Sequence, residues 1–205
     1  MNFIRPSYHI LSHVDGEQIL RNIEIAGRTC YKSEDKITDD SAQKFVSMII
    51  RRGHESVLEH EKITVKFICD RGVSHELVRH RLASFSQEST RYCNYSNKGI
   101  TFIIPPWIVD YHDKDDATQC WRGLLDSSEV SYNRLIELGW KPEQARSVLP
   151  NSLKTEIVVT ANLREWRLIF KQRTAPTAHP QMRELMIPLH QELKNSIPII
   201  FDNLA

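Results

Sequence analysis

Between Arg79 and Tyr92 the chain reads Arg-His-Arg-Leu-Ala-Ser-Phe-Ser-Gln-Glu-Ser-Thr-Arg-Tyr, with ionisable side chains followed by hydroxyls and amides. Arginine offers a planar fork of donors that matches a phosphate ester, and hydroxyls add single donors around it. The stretch after Ala83 therefore reads as a polar loop suited to a phosphorylated ligand. If a helix capped by Ser74 runs on to about Ala83, Arg79, His80 and Arg81 are each about 100° apart around it. Such a fan serves two ligands, or one ligand and a neighbouring subunit, but not a single ligand on one face. The competing reading puts these cations at a helix C-terminus, where they favour the dipole.

Other groups of chemical interest carry less. His54-Glu55 with His60 is not a His-Glu-x-x-His pair, and a spacing of six does not align two helical ligands, so no metal site is expected. Ser89 has no base nearby in sequence and reads as a binding hydroxyl rather than a nucleophile. Trp107, Trp121, Trp140 and Trp166 read as core or interface residues. No Gly-x-Gly-x-x-Gly is present, so a dinucleotide would have to bind without that fingerprint. The two rival classes are a metal-dependent nucleotide hydrolase using the histidines, and an RNA-binding module using Arg79, Arg81 and Arg91 with Tyr92 and Tyr95 as a stacking strip.

The whole chain has 205 residues, 40% hydrophobic and 26% charged, enough for one domain with its own core. Its 27 basic and 26 acidic residues leave a net charge near +1, which argues against a dedicated nucleic-acid binder. No run approaches the roughly 20 apolar residues of a membrane span, and the N-terminus does not resemble a signal peptide. Cys30, Cys69, Cys93 and Cys120 are widely spaced and read as reduced thiols of a cytoplasmic protein.

The elements that must position the polar segment follow from periodicity. Tyr8 to Val14 reads as a strand, and Asp15 as the cap of a helix to about Thr29 with Ile19, Leu20, Ile23 and Ala26 on one face. Ser41 reads as the cap of a second helix carrying Phe45, Ile49 and Ile50. Lys62 to Cys69 alternates Ile63, Val65, Phe67 and Cys69 against polar neighbours, a strand with one buried face. A strand from Ile100 to Ile104, a helix from Ala117 to Leu138, and a helix with Pro142 in its first turn follow. Lys154 to Thr160 reads as a strand, Leu163 to Arg173 and Gln181 to Asn195 as helices, the last kinked or broken at Pro188. The irregular alternation predicts an α+β fold, a mostly antiparallel sheet packed with helices in a single domain spanning residues 1–205.

Arg-His-Arg, seven residues, then Ser is the signature of flavin-dependent thymidylate synthases, and Arg79 to Ser89 resembles it in full. The likeness extends to Gly53–His60, Ser74–Val78, Ala145–Pro150, Thr160–Arg164 and Arg173–His179, all in family order. The resemblance implies reductive methylation of dUMP to dTMP, with methylenetetrahydrofolate as carbon donor and FAD and NADPH as reductants. It also implies a homotetramer with sites shared between subunits. By matching positions, Ser56, Arg79, His80, Arg81, Gln87, Asn162, Leu163, Arg164 and Leu168 face the flavin. Glu76, Leu77, Val78 and Arg79 approach the nucleotide with Gln87, Glu88, Ser89, Thr90, Arg91, Arg146 and Arg173. Arg91 and Arg146 hold the phosphate. Arg173 is the catalytic position: its fork stabilises negative charge on the uracil nitrogen between the two carbonyls, which enriches carbon five in electron density. Gln87 stands where many members have Glu, Ser86 where many have Asn and Thr90 where Gly is frequent, and Leu168 replaces a polar flavin contact.

Thymidylate synthases of a different family attack uracil with a thiolate, which needs a thiol of lowered pKa. Cys93 follows Arg91-Tyr92 and is the one candidate here, yet alternation along an extended segment turns it away from the face used by Tyr92. Cys93→Ser is therefore expected to keep most of its activity. Tritium release from carbon-five-labelled dUMP measures it, and abolished release in a folded, flavin-loaded variant would make the thiol essential.

Overall fold

The computed structural model describes residues 1–96, 99–112, 114–202 and 204. In chain order the elements are β1 (Asn2–Ile4), β2 (Ser7–Ile10), α1 (Gly16–Tyr31), α2 (Ser41–Arg51), β3 (Lys62–Asp70), α3 (Arg71–Leu77) and β4 (Ala83–Gln87). There follow β5 (Thr101–Ile103), α4 (Asp116–Glu137), α5 (Pro142–Ala145), β6 (Lys154–Asn162), α6 (Leu163–Arg173), α7 (Pro180–Ser196) and α8 (Pro198–Phe201). The fold is α+β: an antiparallel sheet in the order β2-β3-β6-β4 packed with helices, plus a separate parallel pair of β1 and β5. The chain forms two compact units, one of Met1–Ser7, Phe67–Arg79 and Ser86–Ile157, the other of Tyr8–Lys66, His80–Phe85 and Val158–Ala205.

The first unit is built around Ile100, Phe102, Leu125, Tyr132, Ala145 and Leu153, a buried cluster joining β5, α4, α5 and the approach to β6. Phe3 and Trp121 pack against it with ring centroids 5.5 Å apart. α4 starts where Asp115 accepts hydrogen bonds from the backbone N–H groups of Ala117 and Thr118, satisfying two of the four donors a helix start leaves open. α3 starts the same way, with Asp70 accepting from Val73 N–H at 2.9 Å.

The second unit is stacked from helices. Asp15 caps α1 by accepting from Gln18 N–H, and α1 buries Ile19, Leu20 and Ile23 as the 3.6-residue period requires, with Gly27 in place of a larger side chain further along. A Cβ on Gly27 would lie 2.5 Å from the Phe45 ring of α2, so only glycine lets the two helices close to this distance. α6 buries Leu163, Trp166, Ile169 and Phe170, and Phe170 meets Phe201 of α8 edge-on at 5.5 Å. The Trp166 indole donates to the carbonyl of Ile63 at 3.0 Å, which ties α6 to β3.

Several expectations are corrected by these elements. The helix before the Arg-His-Arg triplet is capped by Asp70, not Ser74, and ends at Leu77, so Arg79 to Arg81 lie in a turn and do not fan around a helix. Ser84 to Gln87 is strand, not loop: hydroxyls at 84 and 86 face water while Ala83, Phe85 and Gln87 are half-buried. Ladder pairing overrides weak strand propensity there. Ser41 is the first residue of α2 rather than its cap, and its hydroxyl donates to Glu24. α7 runs unbroken through Pro188, because Met182, Leu185, Met186, Leu189 and Leu193 bury a continuous stripe on either side of it.

Removing the Trp166–Ile63 hydrogen bond while keeping an aromatic ring should isolate its worth. Trp166→Phe is expected to destabilise by about 1–3 kcal/mol, because a buried carbonyl loses its donor. A urea midpoint equal to that of the wild type would show that the bond contributes nothing.

Candidate functional site

In the first unit the turn after β4 gathers most of the nucleotide positions. Tyr92 and Cys93 both donate their N–H groups to the Ser89 carbonyl, and the Arg91 N–H reaches Ser89 Oγ at 3.3 Å. Arg146, at the start of a 3₁₀ turn that continues α5, donates through Nη1 to Thr90 Oγ1 at 3.2 Å. Arg91 lies 3.9 Å from Glu143 of α5 and over the Tyr92 ring at 5.5 Å. Two exposed guanidiniums are thereby tethered to one hydroxyl-bearing turn, an arrangement suited to a phosphate. Because residues 90–92 turn, strand alternation does not describe Cys93, which is half-buried beside the exposed Tyr92.

Gln87 and Glu88 are engaged within the protein. Gln87 Nε2 donates to Ser74 Oγ at 2.8 Å and to Thr155 Oγ1 at 3.2 Å. Glu88 accepts from Tyr95 Oη at 2.8 Å and from Lys154 Nζ at 3.0 Å. Burial, and then this Glu88 contact, push the Tyr95 phenol up, so it remains a donor. Leu77 is buried in the core, leaving Glu76 half-buried and Val78 and Arg79 exposed.

In the second unit a cavity of about 590 Å³ opens beside α6, lined by Asn162, Arg164, Leu168, Leu82, Glu55 and Glu59 among others. That volume lies in the usual range of ligand sites, roughly 300–1,000 Å³. Asn162 ends β6 and caps α6: its Oδ1 accepts from Glu165 N–H at 2.9 Å, which leaves the amide NH₂ as donors. Arg164 pairs with Glu59 at 2.6 Å and Arg167 with Glu55 at 3.1 Å. Arg167 Nε is buried and has no partner among the described residues. Leu82 and Leu168, 75% and 43% exposed, give the cavity an apolar wall. An apolar wall, an open amide and several cations fit a planar ring carrying an anionic tail. The other flavin positions stand apart from this lining: Ser56 and Arg81 are exposed, and Leu163 is fully buried with its N–H on the Glu61 carbonyl.

His80 is the buried member of the Arg-His-Arg triplet, 5% exposed. Arg173 Nε–H donates to its Nε2 at 3.0 Å, and Glu165 Oε1 faces its Nδ1 at 3.4 Å. Both ring nitrogens are thus occupied by groups of α6. Desolvation, with the Arg173 charge adding to it, lowers the imidazole from its ordinary 6.5 to about 4, and desolvation raises Glu165. Glu165, Glu55, Glu59, Arg167 and Leu82 were not singled out from the sequence. An acid in the first turn of a helix normally signals only the dipole, so Glu165 carried no distinguishing mark.

The fold is shared with the UMP/dUMP methylase PolB of Streptomyces cacaoi, solved with 5-Br dUMP, which superposes with a TM-score of 0.78 at 21% identity over 98% of this chain and 96% of that one. The flavin-dependent thymidylate synthase of Geobacter sulfurreducens is 32% identical over 186 residues, 87% of this chain and 79% of the relative. That of Pyrococcus furiosus is 34% identical over 171 residues, covering 82% and 68%. The family described as thymidylate synthase complementing protein matches residues 10–199, and the chain belongs to it.

The His80 environment makes a pH prediction. An imidazole lowered to about 4 in the folded chain and near 6.5 when unfolded takes up protons more readily in the unfolded state between those values. Stability is therefore complete above about pH 6.5 and falls as the pH drops toward 4, by on the order of 2–3 kcal/mol. The raised Glu165 carboxyl acts in the opposite sense in the lower part of this window. His80→Gln should flatten the fall in melting temperature between pH 6.5 and 4. An unchanged slope, or a His80 resonance titrating near 6.5, would contradict the assignment.

Proposed function

We propose that this protein catalyses the reductive methylation of dUMP to dTMP, taking the carbon from methylenetetrahydrofolate with FAD and NADPH as reductants. The observation that carries this reading is the α6 cavity, where Asn162, Arg164 and Leu168, three positions matched to the flavin, line one space. Asn162 and Arg164 supply polar donors to the flavin there, and Leu82 and Leu168 cover its apolar face. Bound FAD supplies the hydride chemistry that side chains cannot perform. Arg91 and Arg146 take the phosphate of dUMP, with Ser89 and Thr90 adding hydroxyls. Arg173 places its permanently charged fork on the uracil nitrogen between the carbonyls, so that carbon five becomes nucleophilic.

The whole chain acts as one functional domain, and four copies form a homotetramer whose sites draw on more than one chain. Its place is the cytoplasm, in keeping with four free cysteines. Among the described residues no helix is long and apolar enough to cross a membrane.

Desalted protein is expected to be yellow, or to become so with added FAD. Arg173→Ala should still fold and take up FAD while losing methylation by roughly a hundredfold or more, and Arg173→Lys should also be poor, since an ammonium lacks the planar fork. A colourless protein indifferent to FAD would overturn the flavin reading. Near-normal turnover by Arg173→Ala would remove that residue from the mechanism.

A further inference from the structure

Helix α6 holds, about two turns apart, the two groups that meet one buried imidazole. Helical side chains lean toward the N-terminus, so the long Arg173 side chain runs back along α6 toward the turn that carries Glu165. His80, delivered by the turn after α3, fills the interval between them. Its Nε2 accepts from Arg173 Nε–H, so its single proton is on Nδ1, the nitrogen that lies 3.4 Å from Glu165 Oε1. Glu165 is itself fixed at the backbone, where its N–H donates to the Asn162 cap, and its side chain is only 4% exposed.

We infer that Glu165 is a positioning residue for Arg173, acting through the His80 imidazole to set the plane of the guanidinium fork. The inference rests on the reading of Arg173 as the group that meets uracil, and extends it to a residue outside the matched positions. A dipole role at the start of α6 would be served by an exposed acid and gives no reason for burial against a histidine. A carboxylate at Nδ1 does: it selects the tautomer whose Nε2 can accept, and Nε2 in turn holds Arg173 by Nε. Anchoring at Nε fixes the rotation of the guanidinium about its last side-chain bond, and with it the direction of the Nη1–Nη2 edge. Without the carboxylate the imidazole can adopt the other tautomer, which presents an N–H to the Arg173 N–H and repels it. The low imidazole pKa keeps the ring neutral and works to the same end.

The test compares Glu165→Ala and Glu165→Gln with Arg173→Ala in the FAD-loaded enzyme, following turnover, the KM for dUMP and FAD occupancy. Glu165→Ala is expected to lose roughly ten- to a hundredfold in kcat with the KM for dUMP little changed, because the phosphate contacts lie elsewhere, and kcat is compared at saturating FAD because Glu165 also borders the α6 cavity. Glu165→Gln keeps a carbonyl acceptor and should recover most of the rate. Wild-type kcat in Glu165→Ala, beside an inactive Arg173→Ala, would overturn the positioning role while leaving the Arg173 reading intact. An active Arg173→Ala would overturn both. Should Glu165→Ala fail to fold, ¹⁵N-histidine spectra of the wild-type protein decide: the resonance lost in His80→Gln must belong to an Nδ1–H tautomer. An Nε2–H tautomer there would end the proposal.

Discussion

An arginine N–H can rest on an imidazole nitrogen only while that nitrogen carries no proton, and the burial of His80 enforces this. Water would stabilise the imidazolium, and its exclusion together with the neighbouring guanidinium makes that form costly. Helix α6, which carries both partners of His80, is held by the core of the second unit. Trp166 and Phe170 stack at 5.5 Å on α6, the Trp166 indole fastens the helix to the Ile63 carbonyl, and Asn162 fixes its first turn. The elements that stabilise α6 thereby hold in place the two groups that meet His80. Structure and chemistry share the same residues here.

The cavity beside α6 divides its cations into two kinds. Arg167 is about nine-tenths buried, holds the Ile200 carbonyl and Glu55, and is fixed in place. Arg164 pairs with Glu59 in water, where both side chains are roughly half exposed. An exposed pair of this sort contributes about 0–1 kcal/mol, so an anionic ligand can exchange with Glu59 at little cost. One arginine therefore builds the wall, and the other is open to exchange.

Legibility in the sequence followed the strength of the local pattern. The alternation of Ile63, Val65, Phe67 and Cys69 defined β3, and all four are fully buried. The periodic run from Leu163 to Arg173 gave α6 its observed ends, and Asp15 announced the cap of α1. The triplet at Arg79 was placed wrongly because its helix stops at Leu77, and nothing in the residue types marks that stop. β4 reads as a loop in the sequence because its two serines and Gln87 are polar, and only the pairing of a neighbouring strand makes it extended. At the site, the motif residues were visible as types, but their partners were not. Glu165 meets His80 across a long sequence separation, and only the folded chain brings them to 3.4 Å. The same holds for Arg146 and Thr90, joined by one hydrogen bond between α5's end and the turn after β4.

The four thiols differ in exposure in a way that has a use of its own. Cys30 and Cys120 are exposed, Cys93 is half-buried, and Cys69 is fully enclosed near the end of β3. Burial first, and the adjacent Asp70 charge second, push the Cys69 thiol up, so it is protonated as well as inaccessible. An alkylating reagent applied to the native protein would mark the exposed pair at once and reach Cys69 only when β3 parts from its neighbours. The mass gained at that position over time is then a clock for the opening of the sheet, built into the unaltered sequence.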